Sequence, residues 1–300
     1  MNKLPLYGAL DIGSNAARLL FANIINVNNS PKVFKNNLVR LPIRLGEDVY
    51  QTGIISKQKT ILISQTIEIF TSLNAIYKPL NTAIYATAAL REAKNSTEVL
   101  DYLQKKHKVN INVITGTEEA SIIQNLYQNY GKPKRWKLLA DLGGGSLELT
   151  IIEPENNKFK AKSFKIGAIR ALTNKIPKEE YQALYKWLKK HLPKNPKKIY
   201  FIATGGNINT LKKTFSSPAK EFLKITELVQ IKELLEPLSF SERVSQYFLR
   251  PDRADVIIPA CDIFSNIMYN VGIEKVYVPG GGLVDGIVLK LHQNNYKENP

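Results

Sequence analysis

Apolar residues along the chain fall into two alternating rhythms. Short runs around Tyr7–Ile12, Val39–Ile43, Ile84–Ala86, Ile111–Thr115, Leu138–Ile152, Phe201–Thr204 and Val276–Val278 read as strands. Between them the spacing becomes helical. Ser56 is placed to cap a helix running to about Ile76, and Asn95-Ser-Thr-Glu98 has capping-box spacing for a helix ending near Lys108. Thr115-Gly-Thr-Glu118 has the same spacing, with a helix expected to Tyr130 and Gly131 as its stop. Lys175–His191 reads as amphipathic helix, followed by the break Pro193-Lys-Asn-Pro196. Gly205-Gly206-Asn207 opens another helix in anion-binding fashion, and Leu249–Asp255 leads into an apolar helix, Val256–Tyr269. A last helix follows the glycines after Val278, with Asn294–Pro300 expected to fray and Arg44–Gly53 expected as a loop. Strands alternating with helices make the chain α/β.

One stretch stands apart. Leu138–Ile152 reads as a β-hairpin whose turn, Gly143-Gly144-Gly145, has Asp141 before it and Glu148 after it. Glycines there allow positive φ and let backbone amides approach an anion, and two flanking carboxylates can hold a hard cation. Ala9-Leu10-Asp11-Ile12-Gly13 repeats the pattern, matching Asp11 to Asp141, Asn15 to Gly145 and Arg18 to Glu148. Ile84-Tyr-Ala-Thr87 echoes Phe201-Ile-Ala-Thr204 in the same order, so the chain reads as two similar halves. Ligands of such sheets sit at the carboxyl ends of strands, which predicts Asp11, Thr87, Asp141 and Thr204 around one cleft.

Composition narrows the class. The single cysteine, Cys261, excludes an internal disulfide framework and fits a reducing compartment. The first residues resemble a leader, but Asp11 interrupts the apolar run, so they read as a first strand. No stretch is apolar enough to span a bilayer, and a cytoplasmic protein without membrane partners is expected. The formal net charge of +16 comes from lysines in short groups, without the aromatic interleaving or reading motif of a nucleic-acid binder. That field would draw in a polyphosphorylated substrate, although a lysine-rich source proteome explains it equally well.

Two further residues carry chemistry. Glu118 has a structural task as a cap, but Glu119 sits at the edge of the apolar stripe formed by Ile122, Ile123 and Leu126. A carboxylate so placed is either mispatterned or faces a cleft, where it suits a general base. Arg91 follows the strand end at Ala86-Thr87, where a guanidinium can grip a terminal phosphate. The three histidines, His107, His191 and His292, lie in charged or terminal segments, which leaves a carboxylate as the base.

Together, Asp11–Asn15, Ala86–Ala93, Gly116–Ala120, Asp141–Glu148, Ala203–Gly206 and Arg253–Pro259 resemble the actin-like superfamily. Within it they resemble the exopolyphosphatase / guanosine pentaphosphate phosphohydrolase family. The resemblance implies two similar actin-like (ribonuclease H-like) α/β domains with a cleft between them: residues 1–121 joined by the C-terminal helix 286–300, and residues 122–285. It implies hydrolysis of terminal phosphoanhydride bonds of inorganic polyphosphate, guanosine pentaphosphate or both, by water and without a covalent intermediate. Glu119 would activate the water and Arg91 would hold the terminal phosphate. Asp141 and Glu148, with Asp11, would bind Mg2+ or Mn2+. Gly13, Ser14, Asn15, Gly143, Gly144, Gly145, Ser146, Gly205 and Gly206 would line the phosphate cradle, with Arg18 and Arg253 contacting the rest of the polyanion. Two rival readings are an ATP-dependent kinase of the same superfamily and a non-catalytic sensor of polyphosphate or an alarmone nucleotide. The oligomeric state, homodimer included, is left open.

Overall fold

The structure is a computed structural model. It describes residues 4–27, 30–131, 134–154 and 158–298. The chain divides into two compact units, Met1–Leu126 with Leu283–Pro300, and Tyr127–Gly282.

The first unit opens with β1 (Leu6–Ile12), β2 (Ala17–Val27) and β3 (Ser30–Leu41), then α1 (Leu45–Thr52) and α2 (Lys57–Tyr77). Next come β4 (Asn81–Ala86), α3 (Ala88–Glu92), α4 (Ser96–His107), β5 (Ile111–Val113) and α5 (Gly116–Tyr127). Its sheet runs β3-β2-β1-β4-β5, antiparallel through the first three strands, with β4 and β5 parallel to β1.

The second unit contains β6 (Trp136–Leu142), β7 (Leu147–Ile152), β8 (Phe159–Phe164), α6 (Ala168–Leu172), α7 (Lys178–His191) and β9 (Ile199–Thr204). It continues with α8 (Gly206–Phe215), β10 (Phe222–Lys224), α9 (Ile225–Leu235), α10 (Phe240–Tyr247), α11 (Pro251–Ala254), α12 (Ile257–Val271) and β11 (Lys275–Tyr277). Its sheet runs β8-β7-β6-β9-β11-β10, so the strand order of the first sheet recurs with one antiparallel strand added at the end. The final helix, α13 (Leu283–Glu298), returns to the first unit and packs on β1 and β2. Tyr7 Oη lies 3.2 Å from His292 Nδ1, and Lys35 pairs with Asp285 at 2.7 Å.

Burial follows from the layering. β9 is buried at every position and β6 at all but its first, so both faces of these central strands are covered, with α8 packed on both strands. α12 buries Ile257, Ala260, Cys261, Ile263, Phe264, Ile267 and Met268, the helical spacing that seats one broad stripe on the core. Burying a side chain such as Phe264 contributes about 1.5–3 kcal/mol. The edge strand β8 instead exposes Lys160 and Lys162, charges that discourage edge-to-edge pairing.

Several expectations change in detail. Arg44–Gly53 is the helix α1 rather than a loop, begun by Arg44 in the left-handed region and stopped by Gly53 at φ 82°. The strand expected over Val39–Ile43 is the end of the longer β3. Asn95 does not cap α4 with its side chain. Its amide instead bonds the backbone of Ile55 in both directions, tying α4 to the start of α2. Glu118 and Thr115 do form the expected reciprocal cap, which holds the Glu118 carboxyl below its ordinary range chiefly through the Thr115 amide. α5 ends at Tyr127 rather than Tyr130, and the helix expected over Lys175–His191 begins after Pro177. The segment from Asn294, expected to fray, continues α13 to Glu298; residues 299–300 lie outside the described residues. So do residues 132–133 within the lysine group 132–137. Among the described residues no helix is long and apolar enough to cross a membrane.

Candidate active site

In the second unit β6 and β7 place Asp141 directly opposite Glu148, on either side of the glycine turn. Both carboxylates are buried, 7% and 2% exposed, and an oxygen of one lies within 4.8 Å of an oxygen of the other. Each is aimed by a hydroxyl. Thr204, beside Asp141 on β9, donates to Asp141 Oδ1 at 2.5 Å, and Ser163, beside Glu148 on β8, donates to Glu148 Oε1 at 2.8 Å. An all-oxygen pair of like charges held this way suits a hard divalent cation.

The turn between them has an unusual division of its backbone groups. Gly143 N–H closes it on Ser146 O at 3.0 Å. The carbonyls of Gly143, Gly144 and Gly145 all accept hydrogen bonds from the start of α6. The amides of Gly144, Gly145 and Ser146 have no acceptor among the described residues, although Gly145 and Ser146 are buried. A buried N–H without a partner is rare, and successive free amides of this kind can receive an anion. None of these glycines adopts the positive φ that the sequence suggested. Their use is the bare backbone itself, which lets an anion reach the amides.

A second glycine pair stands at the end of β9. Gly205 has φ 102°, and a Cβ there would lie 2.6 Å from Leu142 O. A Cβ on Gly206 would lie 1.9 Å from Arg253 Nη2, so the guanidinium occupies the space that a side chain would fill. Arg253, buried at α11, donates to Asn207 Oδ1 at 2.5 Å, which fixes it at the N-terminus of α8.

The first unit carries the weaker copy. Asp11 stands opposite Arg18 and pairs with it at 2.7 Å. Burial pushes the Asp11 carboxyl up while Arg18 pulls it down. Asp11, expected as a metal ligand, and Arg18, expected to contact substrate, thus pair with each other, with Asp11 Oδ1 buried and lacking a hydrogen-bond partner among the described residues. Gly13 closes the turn on Ala16 O at 3.2 Å, Ser14 Oγ meets Tyr50 Oη at 2.8 Å, and Asn15 O accepts from Arg44 N at 3.0 Å. The expected equivalence of Thr87 and Thr204 fails: Tyr85 is the residue beside Asp11, and Thr87 lies two positions on, past the strand.

In the same unit Glu119 is buried at the start of α5, as its position on the apolar stripe implies. Arg91, on α3, donates to Ile114 O at 2.6 Å, and its Nη1 lies 3.9 Å from Glu119 Oε2. The guanidinium is thereby held beside the carboxylate. Sequence reasoning missed Ser163, Gly167 and Arg170, because it did not resolve β8 and the short helix after it.

A sequence profile described as the Ppx/GppA phosphatase family matches residues 39–295. The chain belongs to the Ppx/GppA phosphatase family. Exopolyphosphatase 1 of Mycobacterium tuberculosis is 24% identical to it, over 94% of this chain and 87% of that protein. A guanosine-5'-triphosphate,3'-diphosphate pyrophosphatase of Aeromonas hydrophila is 23% identical, over 99% of this chain and 61% of its own length. Among solved structures, an exopolyphosphatase from Cytophaga hutchinsonii superposes with a TM-score of 0.78 at 19% identity, covering 96% of this chain and 98% of that one. The Aquifex aeolicus member of the Ppx/GppA family superposes at 0.73 with 22% identity, over 99% and 100%. The α/β architecture, with its two sheets, is the one these Ppx/GppA structures share, and this Ppx/GppA protein is a phosphatase.

Proposed function

We propose that this phosphatase hydrolyses terminal phosphoanhydride bonds of inorganic polyphosphate, of guanosine pentaphosphate, or of both. The observation that carries this reading is the row of acceptor-less amides at Gly144, Gly145 and Ser146, beside the Asp141–Glu148 pair. Phosphoryl transfer to water needs positioning and neutralisation of equatorial oxygens more than covalent help. The amides donate to those oxygens, as do the first amides of α8 beyond Gly205. Asp141 and Glu148 would hold Mg2+ or Mn2+, which would supply neutralisation of phosphate charge. Arg91 grips the terminal phosphate as a bidentate donor. Glu119, held at the helix start, takes the proton of the attacking water and leaves hydroxide-like oxygen to attack phosphorus. Arg253 contacts the remaining polyanion from its seat against Gly206. Family membership, and relatives named for both substrates, supports the substrate class.

Phosphate release from short polyphosphate, long polyphosphate and guanosine pentaphosphate, measured in parallel with Mg2+ and with Mn2+, tests the reading. Turnover of at least one is expected, and saturable binding without release from any would sink it in favour of a sensor. Glu119→Gln is expected to lower kcat by about 10²–10⁴-fold with KM little changed. Full activity in that variant would remove the base assignment.

A further inference from the structure

We propose that Gly167 and Arg170, at the start of α6, are positioning residues that set the anion-binding geometry of the Gly143–Ser146 turn. The inference rests on that turn being the phosphate cradle. Hydrogen bonds from both backbone and side chain join the two segments. Ala168 N donates to Gly143 O at 3.1 Å, and Ile169 N and Arg170 N donate to Gly144 O at 2.9 and 3.1 Å. Arg170 Nε, on a buried side chain, donates to Gly145 O at 2.8 Å.

The peptide unit makes these bonds consequential. In a planar trans peptide the C=O of one residue and the N–H of the next point in opposite directions. Fixing the carbonyls of Gly143, Gly144 and Gly145 therefore fixes the amides of Gly144, Gly145 and Ser146. These are the three amides with no acceptor among the described residues. Glycine has the softest backbone of any residue, so a triple-glycine turn without such a restraint would sample many amide directions. The clamp lowers the cost of ordering that anion binding would otherwise meet.

Gly167 makes the approach close enough. A Cβ there would lie 2.3 Å from Gly144 O and 2.4 Å from Gly145 C, both backbone atoms. Its own φ of −142° is ordinary, so glycine is required by contact and not by conformation. The first unit contains the same device. After its third strand, Arg44 N donates to Asn15 O at 3.0 Å and Gly46 N donates to Ser14 O at 2.8 Å, on the turn after Asp11. Recurrence in both copies marks the clamp as part of the repeated unit.

The test uses the full chain, inorganic phosphate as probe, and the variants Gly167→Ala, Arg170→Met and Arg170→Lys. In the unmodified protein phosphate is expected to shift the backbone amide NMR resonances of Gly144, Gly145 and Ser146. In Arg170→Met and Gly167→Ala the phosphate affinity is expected to fall at least about tenfold, the loss of one or more charge-assisted bonds. Those shifts should shrink and KM for polyphosphate should rise by a similar factor, while Mn2+ affinity at Asp141 and Glu148 is retained. Arg170→Lys, which still offers a donor, should recover part of the affinity. Should Gly167→Ala not fold, as judged by circular dichroism, the two Arg170 variants carry the test alone. Unchanged phosphate affinity and unchanged amide shifts in folded Arg170→Met overturn the clamp, as does phosphate that leaves the three amides of the unmodified protein unmoved. Phosphate shifting these amides in a protein that hydrolyses none of the proposed substrates would sink the hydrolase reading and leave the clamp standing.

Discussion

At the scale of single residues, Asp11 and Asp141 occupy equivalent places in two copies of one hairpin yet meet opposite partners. Asp11 faces a guanidinium that the chain itself supplies, whereas Asp141 faces another carboxylate. The first copy is thus internally neutralised, and on the proposed reading the second would share an exchangeable cation. Its two acids depend for their aim on Thr204 and Ser163, whose hydroxyls donate at 2.5 and 2.8 Å. Such supporting donors typically govern metal affinity by about 10–100-fold when removed. Thr204→Val and Ser163→Ala are therefore each expected to weaken Mn2+ binding by about tenfold, with little change in melting temperature. Calorimetric Mn2+ titration checks this. Affinity equal to that of the unmodified protein in both variants would show that the hydroxyls do not aim the ligands.

Among elements, the hairpins and the reciprocal Thr115–Glu118 cap were legible in the sequence, because each depends on neighbours within a few residues. The placing of Asp141 and Glu148 on either side of one turn was legible for the same reason, since a hairpin fixes its own register, whereas the ion pair of Asp11 with Arg18 was not read although the same geometry sets it. Ser163 and Arg170 were not, since they reach the turn through a third strand and a five-residue helix whose placement only tertiary packing decides. Thr87 was matched to Thr204 by local likeness, but parallel strands have no connecting turn to set their register, and the match was two positions out. His292 lies near the end of the chain, and sequence alone gives it no partner. It is in fact buried on α13 against Tyr7 of β1, ring edge to ring face. Burial holds its pKa below the ordinary value of 6.5, and burial with the nearby Lys106 charge does the same for His107. Between folded and ordinary values the unfolded chain binds more protons, so stability is complete above about pH 6.5 and is lost as pH falls toward the folded values. His292→Gln keeps a partner for the Tyr7 hydroxyl but cannot titrate. The melting temperature lost on going from about pH 7.5 to about pH 5.5 should be smaller in that variant. An equal loss would place the acid sensitivity elsewhere.

For the whole molecule the decisive quantity is charge. Forty-two Lys and Arg against 26 Asp and Glu give +16, and the mixed-sign surface usual for a protein of this size does not account for it. A field of that sign concentrates polyanions near the surface and raises encounter rates by about 10–10³-fold at low salt. Screening acts on encounter, because exposed charges separated by more than about 10 Å are largely silenced at 0.1 M salt. It acts little on groups already in contact with the bound anhydride. The kcat/KM for polyphosphate is accordingly expected to fall about tenfold or more between about 50 and 500 mM KCl, with kcat nearly constant. Chain length sharpens the expectation. A long polyphosphate spans more of the field than tripolyphosphate and exchanges more counterions on binding, so its slope against salt should be steeper. Initial rates on both substrates across a KCl series, at fixed free Mg2+, measure the two slopes directly. Equal slopes would confine recognition to the few phosphates in the cradle and make the lysine excess irrelevant to capture. A steeper slope for the long chain would instead assign the dispersed lysines a share in holding the substrate beyond the reacting bond.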